Sequence, residues 1–152
     1  MFAVIDKANA EARAALAAGK MSDAHNAQEE VRHALWHERQ AMQLQYQPDV
    51  LTDFHATMEL IILAVQDKAP QAIGAAEIAK LRPQLAEARK LWQAVKTARW
   101  SPEEYGFDAA RTESYRAALV AEDKALDELG AALDAGDGAR IVKAAPAIKP
   151  PF

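Results

Sequence analysis

Cysteine is absent from the 152-residue sequence. This absence excludes a disulfide framework, a thiolate nucleophile, a cysteine-based zinc site and covalent haem attachment. Serine is scarce as well, and two of the three serines, Ser22 and Ser101, stand where helix caps are expected. The sequence also contains no Gly-x-Ser-x-Gly, no glycine-rich phosphate loop and no His-Glu-x-x-His pattern. We therefore expect a non-enzymatic protein.

Long apolar stretches and an excess of positive charge are also missing. The longest apolar run covers residues 60–65, whereas a helix needs about 20 apolar residues to cross a bilayer. The formal net charge is −4, which argues against a basic surface that binds nucleic acid. We therefore expect neither membrane insertion nor a nucleic-acid partner.

Alanine dominates what is present. The chain has 36 alanines, whereas valine, isoleucine and threonine together number 18. This balance favours helix over sheet, because β-branched residues are the ones enriched in strands. A chain of this length usually forms one domain and buries most of the surface that its unfolded state exposes. The sequence predicts a single all-α domain over residues 1–152.

An internal repeat suggests how the helices are connected. Residues 6–19 match residues 123–136 at nine of fourteen positions, and each copy ends in glycine before a second helical pattern. A helix closed by glycine and followed by another helix is typical of an αα-hairpin. Together with a weaker third copy near residues 63–69, the repeat predicts an antiparallel up-and-down bundle built from helical hairpins.

Capping residues and prolines set the expected helix boundaries. The six predicted helices cover residues 4–18, 22–46, 50–66, 70–97, 108–135 and 137–146. Ser22 is the expected N-cap of the second helix, and Pro83 is expected to bend the fourth.

Apolar residues at helical spacing define the expected core faces. In the first two predicted helices these residues are Ile5, Ala8, Ala12, Ala15, Leu16, Ala24, Ala27, Val31, Ala34, Leu35, Met42 and Gln45. In the third, fourth and fifth they are Leu51, Phe54, Met58, Ile61, Ile62, Val65, Ile78, Leu81, Leu85, Ala88, Trp92, Val95, Tyr115, Leu119, Leu126, Leu129 and Leu133.

Three ionisable residues lie in or beside these faces. Glu38 and Glu122 interrupt apolar faces, and His55 stands at the edge of another. A buried carboxylate needs a partner or stays protonated. One interpretation is structural: Glu38 binds His55, Arg82 or a hydroxyl, and Glu122 binds Arg111 or an arginine of another helix. The alternative is that Glu38, His55 and Glu122 converge on a metal or a proton-transfer site, as in an enzyme of unfamiliar type.

A possible metal site lies on the second predicted helix. Glu29, His33 and His37 follow one another at one-turn spacing, and Glu30 lies beside them. Histidine and carboxylate ligands at this spacing could hold zinc or copper, although another chain would have to complete the site. The alternative is a solvated outer face, since these residues lie opposite the apolar side of the helix.

The third predicted helix is apolar on nearly all sides, which is typical of a central helix or of one covered by a partner. Leu60 and Leu63 lie on the side away from its core face, and Trp36 lies on the outer face of the second helix. These three residues predict a homodimer interface, unless neighbouring helices bury them. The expected function is a binding or interaction module that self-associates and could also take a small ligand or a protein partner.

The segment from residue 131 to 152 resembles the C-terminal part of cytochrome c′-type four-helix bundles. In that family a helix ends in Cys-x-x-Cys-His, with an aromatic residue three positions later. The matching positions here are Ala145, Ile148, Lys149 and Phe152, so both cysteines and the histidine are replaced. The resemblance implies a haem-free relative that dimerises and, after removal of a signal peptide, a periplasmic location; without it, a cytoplasmic location is expected. It transfers no functional residue, and the sequence leaves open whether Phe152 is the natural C-terminus.

Overall fold

A computed structural model of the protein describes residues 2–44 and 46–149. Its helices are α1 (Phe2–Ala17), α2 (Met21–Ala41), α3 (Gln47–Val65), α4 (Ala75–Thr97), α5 (Ala109–Ala135) and α6 (Gly138–Ala144), with short 3₁₀ helices at Pro70–Ala72 and Pro146–Ile148. No strand occurs in these two ranges, and the all-α prediction is confirmed. Gln45 and Phe152, which the sequence analysis used, lie outside the described residues.

The boundaries of α2 differ from the prediction. Lys20 occupies the N-cap position and makes no side-chain cap hydrogen bond, so the prediction of a Ser22 cap is wrong. The helix ends five residues before Tyr46, because Gln43 adopts a left-handed conformation with φ 55°. The N–H of Leu44 then donates to the carbonyl of Arg39 at 2.9 Å, which closes the helix end.

The prolines and a capping residue have different effects on the other helices. Pro70 begins a 3₁₀ helix rather than α4, which starts at Ala75. Pro83 lies inside α4 and does not end it. Asp108 caps α5 close to the predicted start of this helix, because its carboxylate accepts from the N–H of Arg111 at 2.8 Å.

The chain divides into two compact units, Met1–Tyr46 and Gln47–Phe152. The first unit is the α1–α2 hairpin, and its buried residues are Ala8, Ala12, Ala24 and Ala27. Leu16, Leu35 and Met42, which were predicted to be core residues, are exposed. Two helices enclose only the side chains along their seam, so the larger apolar residues of this hairpin are not covered.

The second unit contains a core that α3, α4, α5 and α6 share. Its largest fully buried residues are Phe54, Met58, Ile61, Leu81, Trp92, Val95, Glu122, Leu126, Leu129, Leu133, Ile141 and Ile148. The predicted core faces of α3, α4 and α5 are therefore confirmed at their central positions. At the level of Phe54 and Trp92 the two rings pack with centroids 5.0 Å apart.

Charged side chains along α4 hold α5 alongside it. The donor–acceptor pairs are Arg82 with Asp134 at 2.6 Å, Arg89 with Asp127 at 3.0 Å and Lys96 with Asp123 at 2.7 Å. Residue numbers rise along α4 as they fall along α5, so the two helices are antiparallel. These pairs are largely exposed and fix the register more than they stabilise the fold.

Candidate functional site

Glu122 is the most unusual residue of the second unit. It lies on the same face of α5 as Leu126, Leu129 and Leu133, and none of its surface is accessible to solvent. Its burial follows from the helical spacing that the sequence analysis used, and that prediction is confirmed.

The expected partner of Glu122 is not found. Within residues 2–44 and 46–149, neither carboxyl oxygen has a hydrogen-bond partner, so the prediction of a pair with Arg111 or with an arginine of another helix is wrong. The arginines of α4 donate to the adjacent face of α5 instead, where Arg89 reaches Asp127 and the carbonyl of Leu126. The spacing of apolar residues predicted that Glu122 is buried. It could not predict which acid the long, flexible arginine side chains would reach.

Burial decides the protonation state of Glu122. Desolvation, together with the smaller effect of the neighbouring charge of Asp123, raises the pKa of its carboxyl from 4.5 to about 8. The carboxyl is therefore protonated at neutral pH, which is the form that a dry environment tolerates.

Asp123, the next residue, has the partners that Glu122 lacks. Its carboxylate accepts a hydrogen bond from the indole Nε1 of Trp92 at 2.9 Å and another from the Nζ of Lys96 at 2.7 Å. These two hydrogen bonds connect the buried rings of Phe54 and Trp92 to the charged residues between α4 and α5. The sequence analysis did not single out Asp123, although the aspartate recurs as Asp6 in the repeat.

His55 does not join Glu122. Its side chain is about half exposed on α3, and its Nε2 lies 3.7 Å from Oε1 of Glu59. Glu59 also accepts from the Nζ of Lys149 at 2.6 Å. The predicted convergence of His55 and Glu122 on one site is therefore wrong. His55 belongs to a polar group on the outer side of α3.

Glu38 is half-buried on α2, in the first unit. Arg82, one of its predicted partners, instead donates to Asp134 and to the carbonyl of Leu133. The pairing of Glu38 with His55 stays a prediction.

The four predicted metal ligands on α2 are not gathered into a binding group. Glu29 pairs with Arg32 and lies 3.8 Å from Nε2 of His25. Across residues 2–44 and 46–149, no three histidine, aspartate or glutamate side chains are placed to hold a metal ion. Glu29 and His33 are partly buried and Glu30 and His37 are exposed, and the zinc or copper site stays a prediction.

The predicted interface residues have different environments. The rings of His33 and His37 lie 6.0 Å and 4.8 Å from that of Trp36, which is half-buried. Leu60 and Leu63 on α3 are 55% and 60% exposed. Their exposure agrees with the expected orientation away from the core.

An aromatic cluster that the sequence analysis did not recognise fastens the connection between α4 and α5. Trp100 packs on Tyr115 with ring centroids 4.6 Å apart, and Phe107 lies about 6 Å from both rings. Nε2 of Gln47 donates to the hydroxyl of Tyr115, which connects the start of α3 to α5. The density of aromatic residues between positions 100 and 115 was the available signal.

The first unit also carries an open groove of about 590 Å³ between α1 and α2. Four alanines line it together with polar residues, namely Glu11, Lys20, Asp23, Asn26 and Glu30. Its volume falls within the range of small-molecule sites, but the groove is open and lacks the apolar enclosure that those sites have.

No helix in the described part of the chain is long and apolar enough to cross a membrane. No protein-family model, no curated protein and no solved structure matches the chain. The resemblance to cytochrome c′-type bundles therefore stays a prediction.

Proposed function

We propose that this protein is a non-enzymatic helical interaction module that forms a homodimer through the outer face of α3. The observation that carries the proposal is the exposure of Leu60 and Leu63 on a helix whose opposite face lies in the core. Adjacent exposed leucines on an ordered helix are typical of a surface that a partner covers.

The spacing of this face suits helix–helix packing. Ala56, Leu60 and Leu63 are all exposed, and they follow one another at intervals of four and three residues. This spacing aligns them along two turns of one helix face, as in the seam of a coiled coil. The small Ala56 would let the leucines of a second helix approach closely.

Charged groups beside the seam favour a second copy of the same chain as the partner. Glu59 carries a negative charge, and Lys149 and His55 lie within 4 Å of it. A two-fold axis through the seam would set the acid of one protomer near the basic groups of the other. Pairs of opposite charge beside the seam could exchange partners across such an axis, and this supports a second copy of the chain as the partner.

The experiment that tests the proposal compares two surface changes by light scattering and sedimentation equilibrium. We expect the unsubstituted protein to be dimeric, and the Leu60→Glu/Leu63→Glu variant to be monomeric, because two desolvated carboxylates would face their copies across the axis. The matched control is Val120→Glu on α5, where the valine is 69% exposed and lies outside the seam. The control should remain dimeric.

Circular dichroism shows whether each variant keeps its helical content. The proposal fails if the unsubstituted protein is monomeric at high micromolar concentration. It also fails if the control and the double variant dissociate equally, since the seam would then have no special part in assembly.

A further inference from the structure

The buried carboxyl of Glu122 lies beside a contact that joins two helices. Trp92 of α4 packs on Phe54 of α3 and donates its indole N–H to Asp123 of α5. Glu122, one residue before Asp123, lies on the face of α5 that enters the core. A change of charge at Glu122 would therefore act where α3, α4 and α5 meet.

The charged groups around this level are engaged with other residues. On α4, Lys96 binds Asp123 and Arg89 binds Asp127. On α6, Arg140 binds Glu128. The α3 residues that titrate are Asp49, Asp53, His55 and Glu59, and Lys149 after the last 3₁₀ helix binds Glu59. In the part of the chain that the structure describes, none of these cations donates to Glu122.

We propose that Glu122 is a proton-binding site that controls the packing of α5 against α3 and α4. The neutral side chain keeps the three helices closed. Loss of its proton places a second negative charge next to Asp123, and no cation in the described part of the chain donates a hydrogen bond to Glu122. The charged form draws α5 away from the core and releases the indole of Trp92 from Asp123.

The burial of Glu122 sets the pH range in which its carboxyl ionises. Because desolvation raises the pKa of Glu122 to about 8, the carboxyl is neutral at neutral pH and ionises in mildly alkaline solution. This inference does not depend on the proposed dimer, because it concerns the interior of the second unit alone.

The sign of the effect on stability is fixed by the two pKa values. The folded state holds the proton up to about pH 8, whereas the unfolded chain releases it near 4.5. Between these values the folded state binds more protons, so the free energy of unfolding decreases as the pH rises and then levels off above about pH 8. The Glu122→Gln variant should lose this decrease, because its amide does not titrate.

The experiment follows the fluorescence of Trp92 in a Trp36→Phe/Trp100→Phe background, in which it is the one remaining tryptophan. Spectra are recorded from about pH 6 to about pH 9.5. We expect a reversible change with a midpoint near the pKa of Glu122. Glu122→Gln in this background should remove the step, whereas Glu113→Gln, an exposed acid on the same helix, should keep it.

A second measurement keeps the test decisive if Glu122→Gln does not fold. Infrared spectroscopy of the unsubstituted protein detects the carbonyl band of a protonated carboxylic acid, which should persist at neutral pH and disappear near pH 8. A flat fluorescence titration, an unchanged step in Glu122→Gln, or no such band at neutral pH would each overturn the proposal.

Discussion

The α1–α2 and α5–α6 hairpins have similar sequences and similar turns but different surroundings. Gly19 and Gly136 close the first helix of each hairpin with φ of 70° and 66°. In one hairpin the N–H of Lys20 donates to the carbonyl of Ala15 at 2.9 Å, and in the other Asp137 donates to Ala132 at 3.2 Å. Both ends therefore form the same hydrogen-bonded closure, which depends on local sequence.

The difference lies in what covers the matching leucines. Leu16 and Leu133 hold the same position in the repeat, yet Leu16 is 53% exposed and Leu133 is 2% exposed. In the second unit, α5 packs into a core with two further long helices, whereas the α1–α2 hairpin buries only alanines. A short sequence can therefore specify a helix and its turn without specifying how deeply the helix is buried.

The largest expected effect separates these two leucines. Leu133→Ala should lower the free energy of unfolding of the second unit by about 2–5 kcal/mol, because it removes buried methyl groups and leaves a cavity. Leu16→Ala should change the stability of the first unit by less than about 0.5 kcal/mol. Urea denaturation followed by the fluorescence of Trp92 for one unit and Trp36 for the other measures both.

The two measurements need single-tryptophan backgrounds so that each unit reports separately. Equal losses in the two variants would mean that Leu16 is covered as fully as Leu133. The difference in surroundings would then not exist in solution.

A second pair of matching repeat positions, Gly138 and Met21, also differs in its surroundings. Gly138 begins α6, and a Cβ atom there would overlap the carbonyl oxygen of Pro70. Its counterpart in the first hairpin, Met21, is 68% exposed. Gly138→Ala should therefore destabilise the second unit by roughly 1–3 kcal/mol through overpacking, while Met21→Ala should be nearly neutral.

Urea denaturation measures the change in the free energy of unfolding of the Gly138→Ala variant. The sign of that change tests the predicted overpacking. Alanine favours a helix over glycine by about 1 kcal/mol. A stabilised Gly138→Ala variant would show that the 3₁₀ helix at Pro70–Ala72 can move away from α6, contrary to a close contact between them.

Most of the fold could be predicted, because helix periodicity and turn residues act over a few positions. The start of α5 near Asp108 and its end before a glycine agree with the predicted bounds of this helix. The end of α2 could not be predicted in the same way. Gln43 adopts a left-handed conformation there, and glutamine gives no local signal for it. The exposure of Leu16 could not be predicted either, because the spacing of apolar residues does not show how many helices pack against that side of α1.

The burial of Glu122 could be predicted from the sequence, whereas the hydrogen-bond partners of the residues around it could not. Spacing placed Glu122 among apolar residues, and the structure agrees. Which acid receives a hydrogen bond depends on side-chain directions across two helices, and Asp123 accepts from Trp92 and Lys96 of α4. The contact of His33 and His37 with the ring of Trp36 could not be predicted either, because helical spacing does not give the directions of the three side chains.

The smallest expected effect concerns the two turns themselves. Gly19→Ala and Gly136→Ala should each cost about 1 kcal/mol, because a side chain disfavours the left-handed backbone. A Cβ atom at either position would meet nothing within 4 Å among the described residues beyond its immediate neighbours, so the cost is conformational. Gly74→Ala is the control, since it has equal space and an ordinary φ of −95°. Urea denaturation should give similar losses at both turns despite the different burial around them. A much larger loss at Gly136 would mean that the core helps to impose this closure, and the turn could then no longer be treated as a property of the repeated sequence alone.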